Sequence, residues 1–158
     1  MFPFQINNMK VLMVCLGNIC RSPLAEGILS HLSEEQNLDW EVDSAGTSSW
    51  HIGEPPHTGS IDIASKNGIN ITYQKARQFS SKDFERFDLI LAMDSDNFNN
   101  IVSMTANNNY KDKVELILNY SHPGMNMAVP DPYYTGGFDK VFSLLKKACE
   151  ELLNKHKV

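Results

Sequence analysis

Three observations in the sequence predict an α/β fold, a parallel sheet covered by helices on both faces. Short apolar runs alternate with segments of helical spacing. Those runs are too continuous for half-exposed strands. A Ser-Pro step, a helix start, follows the first run within a few residues. The order reads β-α-β-α-(α)-β-α-β-α, a three-layer arrangement whose ligands bind at the carboxyl ends of the strands.

Each element has its own signal. K-V-L-M-V-C at Lys10–Cys15 reads as a buried strand. Residues 16–21 make a turn, after which Ser22 offers an N-cap and Pro23 a first helical position. Leu24, Ala25, Ile28, Leu29 and Leu32 recur at helical spacing, which predicts a helix over 22–36. A second strand fits 40–44, and a helix over 57–67 ends at Gly68. Ser80-x-x-Asp83 resembles a helix start, and D-L-I-L-A-M at 88–93 is another buried strand. Helix is expected over 94–105 and strand over 114–118. The last helix carries Phe138, Val141, Phe142, Leu145, Cys149 and Leu152 on one stripe.

At 158 residues, 42% hydrophobic and 21% charged, the chain fits one domain with a proper core. Residues 1–8 read as a frayed N-terminal extension, and 9–158 as a single domain opened by Met9. A net charge of −5 argues against nucleic acid as a partner. No apolar run approaches the roughly 20 residues that a membrane span needs, so no membrane insertion is expected. The start, MFPFQINNM, lacks the basic and apolar regions of a signal peptide, so a cytoplasmic protein is expected. Three cysteines, Cys15, Cys20 and Cys149, make no disulfide framework and suit a reducing compartment. Pro and Gly cluster at 53–59 and 123–137, two long loops.

The loop after the first strand, V-C-L-G-N-I-C-R-S-P, has the parts of an anion cradle. A strand, a tight loop and a helix N-terminus aim backbone N–H groups and a helix dipole at one point. Leu16, Gly17, Asn18, Ile19 and Cys20 form the loop; Gly17 permits close approach, and Asn18 tolerates a left-handed backbone. Arg21 can hold two phosphate oxygens with its planar fork. The field that favours a phosphate also favours a thiolate at Cys15, and Ser22 can cap the helix or donate to the sulfur. A nucleotide P-loop is disfavoured, because the second Gly and the Lys are missing. The alternative is a buried cysteine that merely ends a strand.

A C-x5-R loop followed by Ser is the signature of cysteine-dependent phosphatases. With D-P-Y-Y at 131–134, V-D-S-A-G-T at 42–47, A-R-Q at 76–78 and F-D-L-I-L-A-M-D at 87–94, the chain resembles the low-molecular-weight protein tyrosine phosphatases from Lys10 onward. The resemblance implies a four-stranded parallel sheet, no metal, no cofactor and a two-step phosphoryl transfer on phosphotyrosine-containing protein substrates. It implies that the loop takes inorganic phosphate or sulfate-like anions. It assigns Cys15 as nucleophile, Arg21 as phosphate ligand and Asp131 as general acid and then base. It makes Trp50, Tyr133 and Tyr134 walls of a substrate slot, with His51 on the same loop as Trp50. It also implies a reversible Cys15–Cys20 disulfide. Family members often have His before A-R-Q, where this chain has Gln74.

Chemistry adds two expectations. A phenolate with a pKa about 10 leaves poorly unless it is protonated, so an acid is needed. An ionised cysteine working with a protonated carboxyl predicts an acid-shifted optimum. Asp94 ends a strand at the ligand edge and is expected to orient loop groups; Trp40 and Cys149 are expected in the core. The histidines show no metal-ligand spacing.

Three alternatives remain. Protein arginine phosphatases share this loop but carry Thr where this chain has Ile19, and an apolar Ile19 favours an aryl phosphate. Arsenate reductases need a downstream cysteine relay, and no cysteine lies between Cys20 and Cys149. A phosphocysteine carrier or a phosphate-binding module needs no leaving-group acid.

Overall fold

The computed structural model describes residues 8–157. In chain order they form β1 (Lys10–Cys15), α1 (Arg21–Glu35), β2 (Glu41–Gly46), α2 (Thr58–Lys66), α3 (Asp83–Arg86) and β3 (Leu89–Ala92). Then come α4 (Ser95–Val102), α5 (Asn108–Lys111), β4 (Val114–Leu116), a 3₁₀ turn at Ile117–Asn119, α6 (Pro132–Thr135) and α7 (Phe138–His156). The strands form one four-stranded parallel sheet in the order β2-β1-β3-β4.

The continuous apolar strands have a simple cause: both faces of the sheet are covered. Val11, Met13 and Cys15 of β1 join Leu89 and Leu91 of β3 in a core with α1 and α7. Leu12, Val14, Ile90 and Ala92 point the other way, into a core with Phe79, Phe84, Phe87 and Ile101. Alternate side chains therefore bury on opposite sides, and no polar phase is left. Trp40 and Cys149 lie in the first core, as expected. Met9 packs against it, and its carbonyl accepts the Glu41 N–H at 2.7 Å. Residues 1–7 of the expected extension lie outside the described residues.

The structure corrects several boundaries. Helix α1 begins at Arg21, so Ser22 is its second residue and not its cap. Strand β4 stops at Leu116, where the chain tightens into the 3₁₀ turn, and α4 stops at Val102. Two one-turn helices had no periodicity to announce them. The Asn107 side chain accepts N–H groups of Asn109 and Tyr110 to start α5, and Asp131 with Pro132 starts α6.

The parallel order puts the carboxyl ends of β1 and β3 side by side. Cys15 follows Val14 on β1, Asp94 follows the end of β3 by two residues, and Met93 N–H bonds the Val14 carbonyl at 3.1 Å. The β1–α1 loop, Asp94 and the segment leading to Asp131 thus share one edge of the sheet.

Candidate active site

The fold takes up the loop's carbonyl groups and leaves its amides. Cys15 and Leu16 carbonyls accept the N–H groups of Thr47 and Ser48, both at 2.9 Å, and the Ile19 carbonyl accepts that of His57 at 2.7 Å. The Cys20 carbonyl accepts the Ser60 hydroxyl at 3.0 Å. No backbone amide of residues 16–20 donates a hydrogen bond among the described residues. Helix α1 carries no side-chain cap and no acidic residue in its first turn. Its positive end faces the loop uncompensated, which is the arrangement an anion needs.

Asn18 holds the loop from below. Its backbone is left-handed (φ 58°), and it is 3% exposed. Its Oδ1 accepts the Arg77 N–H at 3.0 Å, while Nδ2 donates to Ser22 Oγ at 2.8 Å and Ser44 Oγ at 3.0 Å. Ser22 Oγ lies 3.0 Å from Cys15 Sγ. Of the two roles the sequence left open for this hydroxyl, the structure takes the contact with the Cys15 sulfur and not the helix cap. Asn18 and Ser22 accordingly sit beneath the loop and do not line the cleft above it.

Gly46 allows the loop to lie on β2. A β-carbon there would stand 2.8 Å from the Leu16 carbonyl oxygen and 3.1 Å from the Gly17 carbonyl carbon, both backbone atoms. A β-carbon at Gly17 would likewise stand 3.0 Å from the His51 ring. We expect Gly46→Ala to push the loop off its seat and lower kcat/KM about 100-fold, since displacements near 1 Å cost that much. Thermal unfolding should show about 1–3 kcal/mol of lost stability. Unchanged kinetics would refute this account of the loop.

Arg21 is 3% exposed and fixed on several sides. One terminal nitrogen donates to Asp94 Oδ2 at 2.7 Å and the Val129 carbonyl at 3.1 Å. The other lies 3.4 Å from Asp131 Oδ2. Asp94 also caps α4, its Oδ1 accepting the Asn97 N–H at 2.8 Å. It aims the guanidinium, as its place at the strand end suggested. Asp131 caps α6 through Oδ1, which accepts the Tyr133 N–H at 3.1 Å.

Cys15, Leu16, Gly17, Ile19, Cys20, Arg21 and Asp131 meet in one cleft of about 100 Å³. Its mouth is walled by Trp50, His51, Tyr133 and Tyr134. Tyr133 packs edge-on against Tyr134 with ring centroids 5.1 Å apart. His57 was not singled out from sequence. It packs edge-on to Tyr133 at 6.0 Å, stacks on Phe138, and caps α2 through Nδ1. Burial, with the nearby Cys15 and Asp131, pushes the Cys20 thiol up to about 12 despite Arg21. Gln74 is buried against α1; its amide donates to the Pro23 carbonyl at 3.0 Å, and its Oε1 has no partner among the described residues. A larger cleft, about 550 Å³, lies beside β4 among Phe98, Val114, Tyr120 and Lys155, and no cysteine lines it.

Comparison with known proteins agrees with this geometry. Residues 10–158 match the family model described as low molecular weight phosphotyrosine protein phosphatase. The chain belongs to that family. It is 44% identical over 146 residues to the low molecular weight protein-tyrosine-phosphatase YfkJ of Bacillus subtilis, covering 91% of this chain and 93% of that one. The crystal structure of YfkJ superposes with a TM-score of 0.87, covering 93% of each chain. A low molecular weight phosphotyrosine protein phosphatase of Schizosaccharomyces pombe is 43% identical over 132 residues, 82% of this chain and 83% of its own. A Drosophila arginine phosphatase is also similar, at TM-score 0.88 and 36% identity, covering 95% of this chain and 99% of its own. The four-stranded parallel sheet read from the sequence is therefore the fold of the phosphatase family, and Cys15 and Arg21 fall where its C-x5-R loop requires.

Among the described residues there is no group of His, Cys, Asp and Glu that could hold a metal, and no helix is long and apolar enough to cross a membrane.

Proposed function

We propose that this family member hydrolyses phosphotyrosine in proteins through a phosphocysteine intermediate. The observation that carries the reading is the convergence of Cys15, Arg21 and Asp131 on one narrow cleft with aromatic walls. A phosphate monoester brings roughly −1.5 to −2 charge, which the loop amides, the α1 dipole and Arg21 oppose together. The same oxygens would compete with Asp131 for the outer nitrogen of Arg21, whose contact to Asp131 is long at 3.4 Å.

Cys15 attacks phosphorus in line; a sulfur–phosphorus bond forms as the phosphorus–oxygen bond to the phenol breaks. Asp131 gives its proton to the departing phenolate oxygen. Asp131 then takes a proton from the water that cleaves the phosphocysteine, which releases inorganic phosphate and restores the sulfur anion. The Ser22 hydroxyl, 3.0 Å from Sγ, stabilises that anion on departure. No step calls for a metal or cofactor. Phosphate and sulfate-like anions compete for the loop, and the free thiols of Cys15, Cys20 and Cys149 suit the cytoplasm.

A phosphoarginine substrate is the second reading, favoured by the likeness to the Drosophila arginine phosphatase. Ile19 argues against it. It is 7% exposed, packs with Cys20, Ala76 and Phe138, and gives the cleft an apolar wall beside the leaving group. Steady-state kcat/KM on a phosphotyrosine peptide and a matched phosphoarginine peptide, with chelator present, decides. We expect sustained turnover favouring phosphotyrosine by at least about tenfold. Preference for phosphoarginine overturns the substrate class, and one burst without turnover points to a carrier.

A further inference from the structure

Glu26, on α1 one helical turn beyond Pro23, is an acidic residue only 5% exposed, and the mechanism above does not use it. Its Oε1 accepts the Ser44 hydroxyl at 2.6 Å, and its Oε2 accepts the Tyr73 hydroxyl at 3.3 Å. No Lys, Arg or His makes a salt bridge to it among the described residues. A buried carboxyl without a cation costs free energy when ionised, so its surroundings are informative.

Those surroundings lead to the nucleophile. The Arg77 N–H pins Asn18 Oδ1, so the Asn18 amino group must face the two serines. Each serine oxygen accepts one amide hydrogen and turns its own proton outward. Ser44 sends its proton to Glu26. Ser22 has Cys15 Sγ at 3.0 Å, and its other acceptor, the Ala45 carbonyl, is at 3.5 Å. One amide therefore supplies two hydroxyls, each serving a group that can be an anion. An amide does not relay protons, so the two ends are coupled by charge and polarisation.

We propose that Glu26 is a positioning residue for the nucleophile: its neutral form leaves the Asn18–Ser22 donors to the Cys15 sulfur, and its ionised form competes for them. The proposal rests on Cys15 being the nucleophile. Burial pushes the Glu26 carboxyl up to about 7, with Asp43 of β2 adding to the rise. The hydroxyls of Ser44 and Tyr73, and the Arg77 charge, act in the opposite direction. Glu26 thus gains its charge as pH rises through neutrality and loses it on the acid side, where Asp131 must carry a proton. The competing negative charge is absent under the conditions that favour the reaction.

The test follows the rate of Cys15 alkylation by iodoacetamide against pH, read by mass spectrometry of the Cys15 peptide. Cys20, held protonated, stays out of the signal below its titration. The unaltered protein should show a second inflection near neutrality, a rate change of about threefold beyond the sulfur's own ionisation. Glu26→Gln should give a single ionisation. Tyr73→Phe removes a donor to the carboxylate and should move the second inflection to higher pH. Tyr73 is 60% exposed, so this variant should fold whether or not Glu26→Gln does. A single ionisation in the unaltered protein, an inflection that survives Glu26→Gln, or one unmoved by Tyr73→Phe overturns the proposal. Alkylation requires no turnover, so loss of the phosphatase reading shows separately as alkylation without hydrolysis.

Discussion

Replacing Cys15 with serine should abolish turnover and leave anion binding nearly intact. The reaction needs an anionic, polarisable nucleophile, and a serine hydroxyl in this loop has no strong base beside it. The side-chain hydrogen-bond partner at that position is Ser22 Oγ, itself a hydroxyl. The rate on a phosphotyrosine peptide should fall by on the order of 10⁴-fold or more. Binding is built from other parts: the amides of residues 16–20, the uncapped start of α1, and Arg21 fixed by Asp94. None of these involves the sulfur. Inorganic phosphate at about 100 times its Kd should therefore stabilise the Cys15→Ser protein by about 2.7 kcal/mol. That raises the unfolding midpoint by about 5–10 °C. Retained turnover would remove Cys15 from the reaction, and a lost phosphate shift would make the sulfur part of the cradle.

The sequence showed the sheet and the cradle for one physical reason. Strands buried on both faces must be continuously apolar, and β1 and β3 are. The loop must fit Cys, Gly, Asn and Arg into a strand-to-helix turn, and all four are local neighbours. What stayed hidden depends on distant partners. Asn18 reaches Ser44 across 26 positions and Arg77 across 59, so its part as the loop's hub has no local signal. Glu26 looks like an ordinary solvent-facing residue of an amphipathic helix, and only the packing of Tyr73 and β2 over α1 buries it.

Ser22 shows how a sound local rule leaves two partners open, helix start and sulfur, until the fold chooses. Serine before proline is a good helix cap when the first N–H groups need a side chain. Here those groups face the loop, α1 starts one residue earlier, and the hydroxyl turns to Cys15. The aromatic walls were legible only through the family pattern. Tyr133 and Tyr134 sit on a single helical turn too short to leave a periodicity, and Trp50 is 67% exposed on its loop.

The proposed reaction gives Asp131 a second task beside its observed one, and paired variants should separate them. As an acid it must protonate the departing phenolate, a task whose importance grows with leaving-group basicity. Asp131→Ala and Asp131→Asn both remove the acid. Each should lower kcat on phosphotyrosine by about 10²–10³-fold, and far less on an aryl phosphate whose phenol is strongly acidic. The observed task is structural: Oδ1 caps α6 and so holds Tyr133 at the cleft mouth. A cap is worth about 0.5–2 kcal/mol, and its loss loosens that wall. Asparagine keeps an oxygen that can accept the Tyr133 N–H; alanine does not. KM should therefore rise several-fold in Asp131→Ala, by about the Boltzmann factor of the lost cap, and stay near the original value in Asp131→Asn. Equal slowing on good and poor leaving groups would strike Asp131 from the proton transfer. Equal KM values in the two variants would leave the acid in place and remove the cap from substrate binding.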